Sequence, residues 1–185
     1  VYLSEGAQEL IEISNLFTLI KVGGINAQVI KPGKSFTIED VKITPFLVDH
    51  SAFDALAFLI EAEGKRVFYS GDFRGHGRKG VLFKKMLKNP PKNIDCLLME
   101  GTRLGKRERS YPDEISVQKR IEDILKETSN ITFLFTSSQN IDRIVAAYKA
   151  CRKRGSIFVI DLYTAFVLER LSIVSKNIPQ FDWRN

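Results

Sequence analysis

The chain has few of the residues that usually build a self-contained metal or disulfide site. Its 185 residues include only two histidines, two cysteines, two methionines and one tryptophan. With two histidines, most ligands of a histidine-based metal centre are missing from this sequence. Two cysteines exclude a disulfide-rich scaffold, and we expect Cys96 and Cys151 to be buried thiols of a cytoplasmic protein because each lies in an apolar pattern.

Long hydrophobic runs are also missing. No apolar stretch approaches the roughly 20 residues that a membrane span needs, and no basic-then-apolar signal segment opens the chain. We therefore expect no membrane partner. The net charge of +6 favours an anionic partner, nucleic acid first, while homo-oligomer formation is left open. A hydrophobic content of 44% is enough for one sizeable core.

The first part of the chain has the pattern of a strand-rich domain with hairpins. Apolar runs separated by turn residues predict its strands, and the turn at Glu63-Gly64-Lys65 predicts one hairpin. Two short helices are predicted over residues 5–15 and 81–87. The predicted strands are residues 36–38, 41–48, 55–62, 66–70 and 94–99, the last of them a continuous apolar run typical of a buried strand.

The second part has the pattern of a doubly wound α/β unit. From Pro112, apolar residues at helical spacing alternate with strand-like runs at 131–135 and 156–160. This alternation predicts a parallel sheet with covered faces. A basic connector separates the two patterns, so we predict domains at 1–104 and 105–185. The connector residues are Arg103, Lys106, Arg107 and Arg109.

Two metal-competent side chains follow apolar runs directly. His50 comes after Phe46-Leu47-Val48, and Asp72 follows Val67-Phe68-Tyr69 closely. An imidazole and a carboxylate at neighbouring strand ends are typical of a metal site that activates water. The residues alone also allow a histidine bonded to the backbone and an aspartate in a turn. Asp49 or Asp54 would hold the second ring nitrogen of His50, or would be solvated.

Three segments in order carry a resemblance to a known family. Residues 48–51 (Val-Asp-His-Ser), 69–73 (Tyr-Ser-Gly-Asp-Phe) and 97–102 (Leu-Leu-Met-Glu-Gly-Thr) resemble consecutive motifs of the metallo-β-lactamase fold. They are most similar to those of its β-CASP nucleases, which include ribonuclease J. The later segments 135–143 and 160–165 resemble the β-CASP insert of bacterial members.

The resemblance implies a fold, a reaction and roles for three residues. The fold would be a partial metallo-β-lactamase αββα sandwich followed by part of a β-CASP α/β domain with a parallel sheet. The reaction would be phosphodiester hydrolysis of RNA with two divalent metal ions, zinc first and manganese as the alternative. His50 would bind one metal, Asp72 would bridge both, and Glu100 would orient a histidine.

The family's His-x-His-x-Asp-His motif does not occur in this sequence. We therefore expect the chain to be a piece of a longer ribonuclease, inactive by itself. One alternative function is a DNA nuclease of the Artemis-like branch, with single-stranded DNA as the partner. Another is a non-catalytic subunit that binds nucleic acid.

Basic residues after Asp72 predict a nucleic-acid surface. Between Gly71 and Lys92 the chain has seven basic residues against one acid, which would attract a polyanionic backbone; a solvated helix face is the alternative. His76 would touch a phosphate or a peripheral metal, or lie in a solvated loop. The seven basic residues are Arg74, Arg78, Lys79, Lys84, Lys85, Lys88 and Lys92.

A second candidate phosphate site precedes a predicted helix. Ser137, Ser138 and Asn140 lie just before it, and Arg143 lies in its first turn. A helix amino end with hydroxyl groups is a ready anion site. Capping of the helix explains the same residues without a ligand.

Overall fold

The computed structural model describes residues 1–19, 23, 25–102, 104–105 and 111–180. The connector residues Arg103, Lys106, Arg107 and Arg109 lie outside the described residues. In the described part, seven strands and five helices follow one another along the chain. They are β1 Tyr2–Ser4, α1 Glu5–Phe17, β2 Gln28–Ile30, β3 Phe36–Ile38, β4 Val41–Leu47, β5 Leu56–Ala62, β6 Lys65–Tyr69, α2 Gly80–Lys88, β7 Cys96–Leu98, α3 Glu114–Glu127, α4 Ile141–Arg154 and α5 Leu162–Leu171.

Contacts between Cα atoms divide the chain into two compact units, each described by itself below. The first unit comprises Val1–Ala7, Asn26–His50 and Asp54–Tyr111. The second comprises Gln8–Ile25, Ser51–Phe53 and Pro112–Asn185. The predicted domain boundary between residues 104 and 105 stays a prediction. In the part of the chain that the structure describes, no helix has the length and apolar character to cross a membrane.

The first unit is built on a five-stranded sheet in the order β3-β4-β5-β6-β7. Neighbouring strands are antiparallel except β6 and β7, which are parallel. The predicted hairpin is confirmed, because Glu63 and Gly64 connect β5 to β6 with φ angles of 50° and 71°. Positive φ at both central residues matches the right-handed twist of the flanking strands. A separate parallel pair joins β1 to β2, and the sequence patterns had not predicted β2.

The prediction of a buried strand at residues 94–99 is wrong in one respect. The strand exists as β7, but it lies at the edge of the sheet and all three of its residues are exposed. The expected burial of Cys96 is therefore wrong as well, whereas Cys151 in α4 is buried as predicted. An apolar run shows that a segment suits a sheet, but the order of the strands decides which one is central.

The second unit has a helical core. Asn140 caps α4 by accepting a hydrogen bond from the Arg143 amide at 3.3 Å, and Gly155 ends this helix in the left-handed conformation. Seven buried apolar residues from α1, α4, α5 and the segment after α5 form the core. They are Ile13, Ile141, Ile144, Val167, Leu168, Leu171 and Ile178.

The strands predicted at residues 131–135 and 156–160 are not present as strands. Neither segment pairs with another strand in the described part of the chain, so the predicted parallel sheet does not form there. Apolar side chains of both segments are exposed, among them Phe135 and Ile157, whereas Phe158 and Ile160 are half-buried and pack against the helical core. A strand needs hydrogen-bonding neighbours as well as a suitable sequence. The mixed α/β class itself is confirmed by the sheets and the five described helices.

Candidate functional site

The three segments that resemble family motifs leave the sheet of the first unit at the same edge. β4 and β6 each run antiparallel to β5, and β7 runs parallel to β6. β4, β6 and β7 therefore point in one direction. The residues after them emerge at one edge of the sheet, the edge formed by the carboxyl ends of these three strands. His50 follows β4, Asp72 follows β6 and Glu100 follows β7.

Ser70 connects two of these segments. Its amide donates to the Leu98 carbonyl at 2.9 Å, and its buried hydroxyl accepts from the Glu100 amide at 3.2 Å. The same hydroxyl donates to the Gly71 carbonyl at 2.7 Å. Ser70 thus fixes the start of the turn that carries Asp72 against the backbone of Glu100.

The turn at Gly71 requires glycine. Its φ angle is 57°, and a Cβ added at this position would lie 2.7 Å from the carbonyl oxygen of Leu56. Any larger residue would have to push the turn away from β5. The backbone that leads to Asp72 is therefore held closely against the sheet.

The described residues do not form a complete metal site by themselves. His50 is half-buried and Asp72 is exposed, and no group of three or more His, Cys, Asp or Glu side chains that could hold a metal occurs among the described residues. A protein-bound zinc ion usually has three or four protein ligands. His50 and Asp72 would need further donors, so their roles as ligands stay predictions, as does the role of Glu100.

Asp49 and Asp54, the predicted partners of His50, each accept a hydrogen bond from a backbone amide. Asp49 is buried, and its Oδ2 atom accepts from the Gly77 amide at 2.7 Å. Asp54 adopts a φ angle of 63° and its Oδ2 atom accepts from the Gly6 amide at 3.1 Å. The alternative of a solvated Asp49 is wrong, because this carboxylate lies inside the first unit.

The predicted nucleic-acid residues of the first unit differ in their surroundings. The Arg74 side chain is 13% exposed and forms an ion pair with Asp49. Arg78 and Lys79 are half-buried at the start of α2. The His76 ring stacks on Tyr111 with centroids 6.1 Å apart. The lysines farther along, at positions 84, 85, 88 and 92, are exposed.

The hydroxyl groups before α4 have partners within the second unit. The Ser138 hydroxyl accepts from the Thr164 hydroxyl at 2.7 Å, and the Ser137 hydroxyl accepts from the Gln139 amide at 3.3 Å. The capping interpretation is confirmed at Asn140. A phosphate role for Ser137 and Ser138 stays a prediction.

Arg143 also has a partner in the second unit. Its guanidinium donates twice to the carboxylate of Glu114, at 3.1 and 3.2 Å, and Glu114 is 3% exposed. The sequence patterns did not single out Glu114, because its partner lies 29 residues away. A phosphate contact by Arg143 stays a prediction.

Comparison with known proteins gives one family and one fold. A family model described as a beta-lactamase superfamily domain matches residues 1–159. A protein of unknown function from Enterococcus faecalis V583 has a similar crystal structure, with a TM-score of 0.71 and 20% sequence identity over 91% of this chain. The chain spans 43% of the length of that protein, and at this identity the likeness shows the fold alone. No curated protein sequence matches the chain significantly.

Proposed function

Because the chain belongs to the beta-lactamase superfamily, which includes hydrolases, we propose that the full-length protein is a metal-dependent ribonuclease that hydrolyses phosphodiester bonds. Within the superfamily, we assign it to the β-CASP branch, with ribonuclease J as the similar enzyme. The proposed partner is RNA and the proposed metal is zinc, with manganese as the alternative. The proposed location is the cytoplasm.

One observation carries this proposal: His50, Asp72 and Glu100 follow three strands that end at the same edge of one sheet. Side chains at a common sheet edge can act on one substrate group, as they do in many α/β enzymes. In this proposal, His50 and Asp72 contribute to a metal centre completed by donors outside the described residues. The hydrogen bond from the Glu100 amide to the Ser70 hydroxyl joins the backbone of Glu100 to the segment that leads to Asp72.

The charge of the first unit supports a polyanionic substrate. The stretch from Arg78 to Lys92 has six basic residues and no acid. Lysines and arginines bind a nucleic-acid backbone largely by releasing its counterions, so binding weakens as salt rises. We therefore expect the affinity of the full-length protein for single-stranded RNA to fall steeply with salt concentration.

The proposal is tested by comparing Asp72→Ala with Asp40→Ala in the full-length protein. Both aspartates are exposed, but Asp40 lies in the turn between β3 and β4. Cleavage of end-labelled single-stranded RNA and of DNA of the same sequence is measured with Zn²⁺ or Mn²⁺, and binding is measured by fluorescence anisotropy. We expect Asp72→Ala to abolish RNA cleavage and to leave binding intact, and Asp40→Ala to change neither.

Three results would contradict the proposal in different ways. Equal cleavage by Asp72→Ala and the unmodified protein would remove Asp72 from the chemistry. Cleavage of DNA in preference to RNA would favour a DNA nuclease of the same fold. Salt-dependent RNA binding without cleavage would favour a non-catalytic nucleic-acid-binding subunit.

A further inference from the structure

Among the acidic residues of the first unit that the structure describes, Asp49, next to His50, is the most deeply buried. The side chain of Asp49 has no exposed surface. It lies beside a cavity of about 160 Å³ with an almost entirely apolar lining that includes Ala57, Phe68 and Leu82. An ionised carboxylate in such surroundings is unfavourable unless charges and hydrogen bonds compensate it. Its partners therefore indicate what it does.

Asp49 contacts both ends of the loop segment 74–77. Its main-chain carbonyl accepts from the Arg74 amide at 2.7 Å, and its Oδ2 atom accepts from the Gly77 amide at 2.7 Å. Its Oδ1 atom lies 3.5 Å from Nε of Arg74. One residue thus supplies two hydrogen bonds and one ion pair to a segment of four residues.

The loop fits so closely around the carboxylate that a side chain added at Gly77 or Gly80 would overlap neighbouring atoms. A Cβ at Gly77 would lie 2.1 Å from Oδ1 of Asp49 and 2.6 Å from the Arg74 guanidinium. A Cβ at Gly80 would lie 2.6 Å from the Gly75 carbonyl oxygen. Glycine at these positions allows the backbone to approach the carboxylate.

These contacts connect two of the candidate site segments. Asp49 directly precedes His50, and Arg74 follows Asp72 by two residues. The contacts between Asp49 and the loop therefore hold the backbone after β4 against the backbone after β6. Phe73, directly before the loop, stacks on Phe83 of α2 with ring centroids 5.5 Å apart, which holds the start of the loop on the helix.

We propose that Asp49 is a positioning residue that fixes the His50 segment against the loop that follows Asp72. The Asp49 carboxylate also offsets the charge of Arg74, so Arg74 acts as part of this internal frame and not as a contact to an anion. We call the contacts of Asp49 with residues 74–77 the tether; it depends only on contacts within the first unit. The role of the tether in RNA cleavage rests on the proposed function.

The test compares Asp49→Ala and Asp49→Asn with Asp40→Ala in the full-length protein. Alanine removes the acceptor for the Gly77 amide and the charge facing Arg74, whereas asparagine keeps an acceptor and loses the charge. Hydrogen exchange of the Gly77 amide and the rate of tryptic cleavage after Arg74, Arg78 and Lys79 measure the order of the loop. Exchange in the β5–β6 ladder reports whether the sheet stays folded.

We expect Asp49→Ala to speed Gly77 exchange and tryptic cleavage of the loop by about tenfold or more, as loss of a hydrogen bond to a charged group would. Asp49→Asn should have a smaller effect, and Asp40→Ala none. If Asp49→Ala does not fold, the proposal is tested by comparing Gly77 exchange in Asp49→Asn with that in the unmodified protein. Loop exchange and cleavage in the Asp49 variants equal to those of the unmodified protein would overturn the proposal.

RNA cleavage separates this proposal from the proposed function. If the unmodified protein cleaves RNA, we expect Asp49→Asn to lower kcat more than it raises KM, because misplaced groups affect the reaction more than binding. An unchanged kcat together with a disordered loop would overturn the positioning role. If the unmodified protein cleaves no RNA, the proposed function fails. The Gly77 exchange comparison still tests whether Asp49 holds the loop in place.

Discussion

The two units of the chain use the same kinds of apolar segment in different ways. In the first unit, β5 and β6 have complete antiparallel ladders and hold β7 at the edge. In the second unit, the equally apolar segments 131–135 and 156–160 pair with no strand in the described part of the chain. The difference shows that an apolar alternating segment becomes a strand only when a hydrogen-bonding neighbour is in reach.

The two units also differ in where their stability comes from. The second unit has a compact cluster of fully buried aliphatic side chains, among them Leu168 and Leu171. In the first unit, the backbone and side chains pack closely around Gly71, Gly77 and the buried Asp49. Substitutions should therefore affect the two units through different mechanisms.

The largest effect is expected from shortening a core side chain of the second unit. Leu168→Ala should lower the free energy of unfolding by about 2–5 kcal/mol, because Leu168 is 1% exposed and its removal leaves a cavity. Leu162 begins the same helix and is 70% exposed, so Leu162→Ala should change stability by less than about 0.5 kcal/mol. Urea unfolding followed by circular dichroism measures both. Equal losses would contradict the assignment of the core.

A smaller loss is expected from adding one methyl group to the first unit. Gly77→Ala should cost about 1–3 kcal/mol, because its Cβ would overlap the Asp49 carboxylate. Gly101 has no atom within 4 Å of its added Cβ, so Gly101→Ala is the matched control and should be nearly neutral. The same urea experiment compares them. A neutral Gly77→Ala would show that the loop is less closely packed than the structure indicates.

The unpaired segments of the second unit are tested by hydrogen exchange without any substitution. Amides of β5 and β6 should be strongly protected, and amides of residues 131–135 and 157–160 should exchange close to the unprotected rate. Phe135→Ser should leave the stability of the second unit within about 0.5 kcal/mol, because Phe135 is fully exposed. Protection of 131–135 equal to that of β5 would show that this segment is paired in solution.

The smallest effect is expected from an exposed ion pair of the first unit. A hydrogen bond from the Lys65 ammonium, with another from the Arg66 amide, lowers the pKa of Asp95 below its ordinary value of 3.8. Since the folded pKa is lower than the unfolded one, this stabilisation is present above pH 3.8 and is lost as the pH falls through the folded value. Asp95→Asn should therefore reduce the loss of stability between pH 5 and pH 2.

Urea midpoints across that pH range measure the effect of Asp95→Asn. Glu122 provides the comparison in the second unit, because hydrogen bonds from Lys153 and Gln118 lower its pKa in the same way. Glu122→Gln should weaken the acid dependence of the second unit similarly. A steeper acid dependence in either variant would contradict the direction of these pKa shifts.

Local features of the fold could be predicted from the sequence. Glu63 and Gly64 suit a two-residue hairpin turn, and the turn is present. Asn140 before an apolar 3.6-residue period predicted the start of α4, and its side chain caps the helix. These features depend on residues within a few positions of one another, where propensity and capping act directly.

Features that depend on distant residues could not be predicted. The exposure of Cys96 follows from the place of β7 in the strand order, and this order joins segments from different parts of the chain. The failure of the strand at 131–135 has the same cause, because no partner strand could be read from its own residues. In both cases the local pattern was right about apolar character and wrong about burial.

The candidate site shows the same division. The motif segments with His50, Asp72 and Glu100 were visible in the sequence, and the strand directions bring them to one edge. The contacts of Asp49 with Gly77 were not visible, because 28 residues separate the two partners. The only sequence signal was the spacing of Gly75, Gly77 and Gly80, which indicates a backbone in close approach.

By itself, the sequence determined that too few histidines and cysteines are present for a self-contained metal or disulfide site. It also determined the helices, the hairpin turn and the order of the three motif segments. The tertiary structure decided which strands pair, which apolar segments are buried, and that Asp49 and Arg74 face each other. The physical reason is the separation along the chain between the residues that interact. Propensities and turns act between neighbours in the chain, whereas pairing, burial and ion pairs depend on residues that only folding brings together.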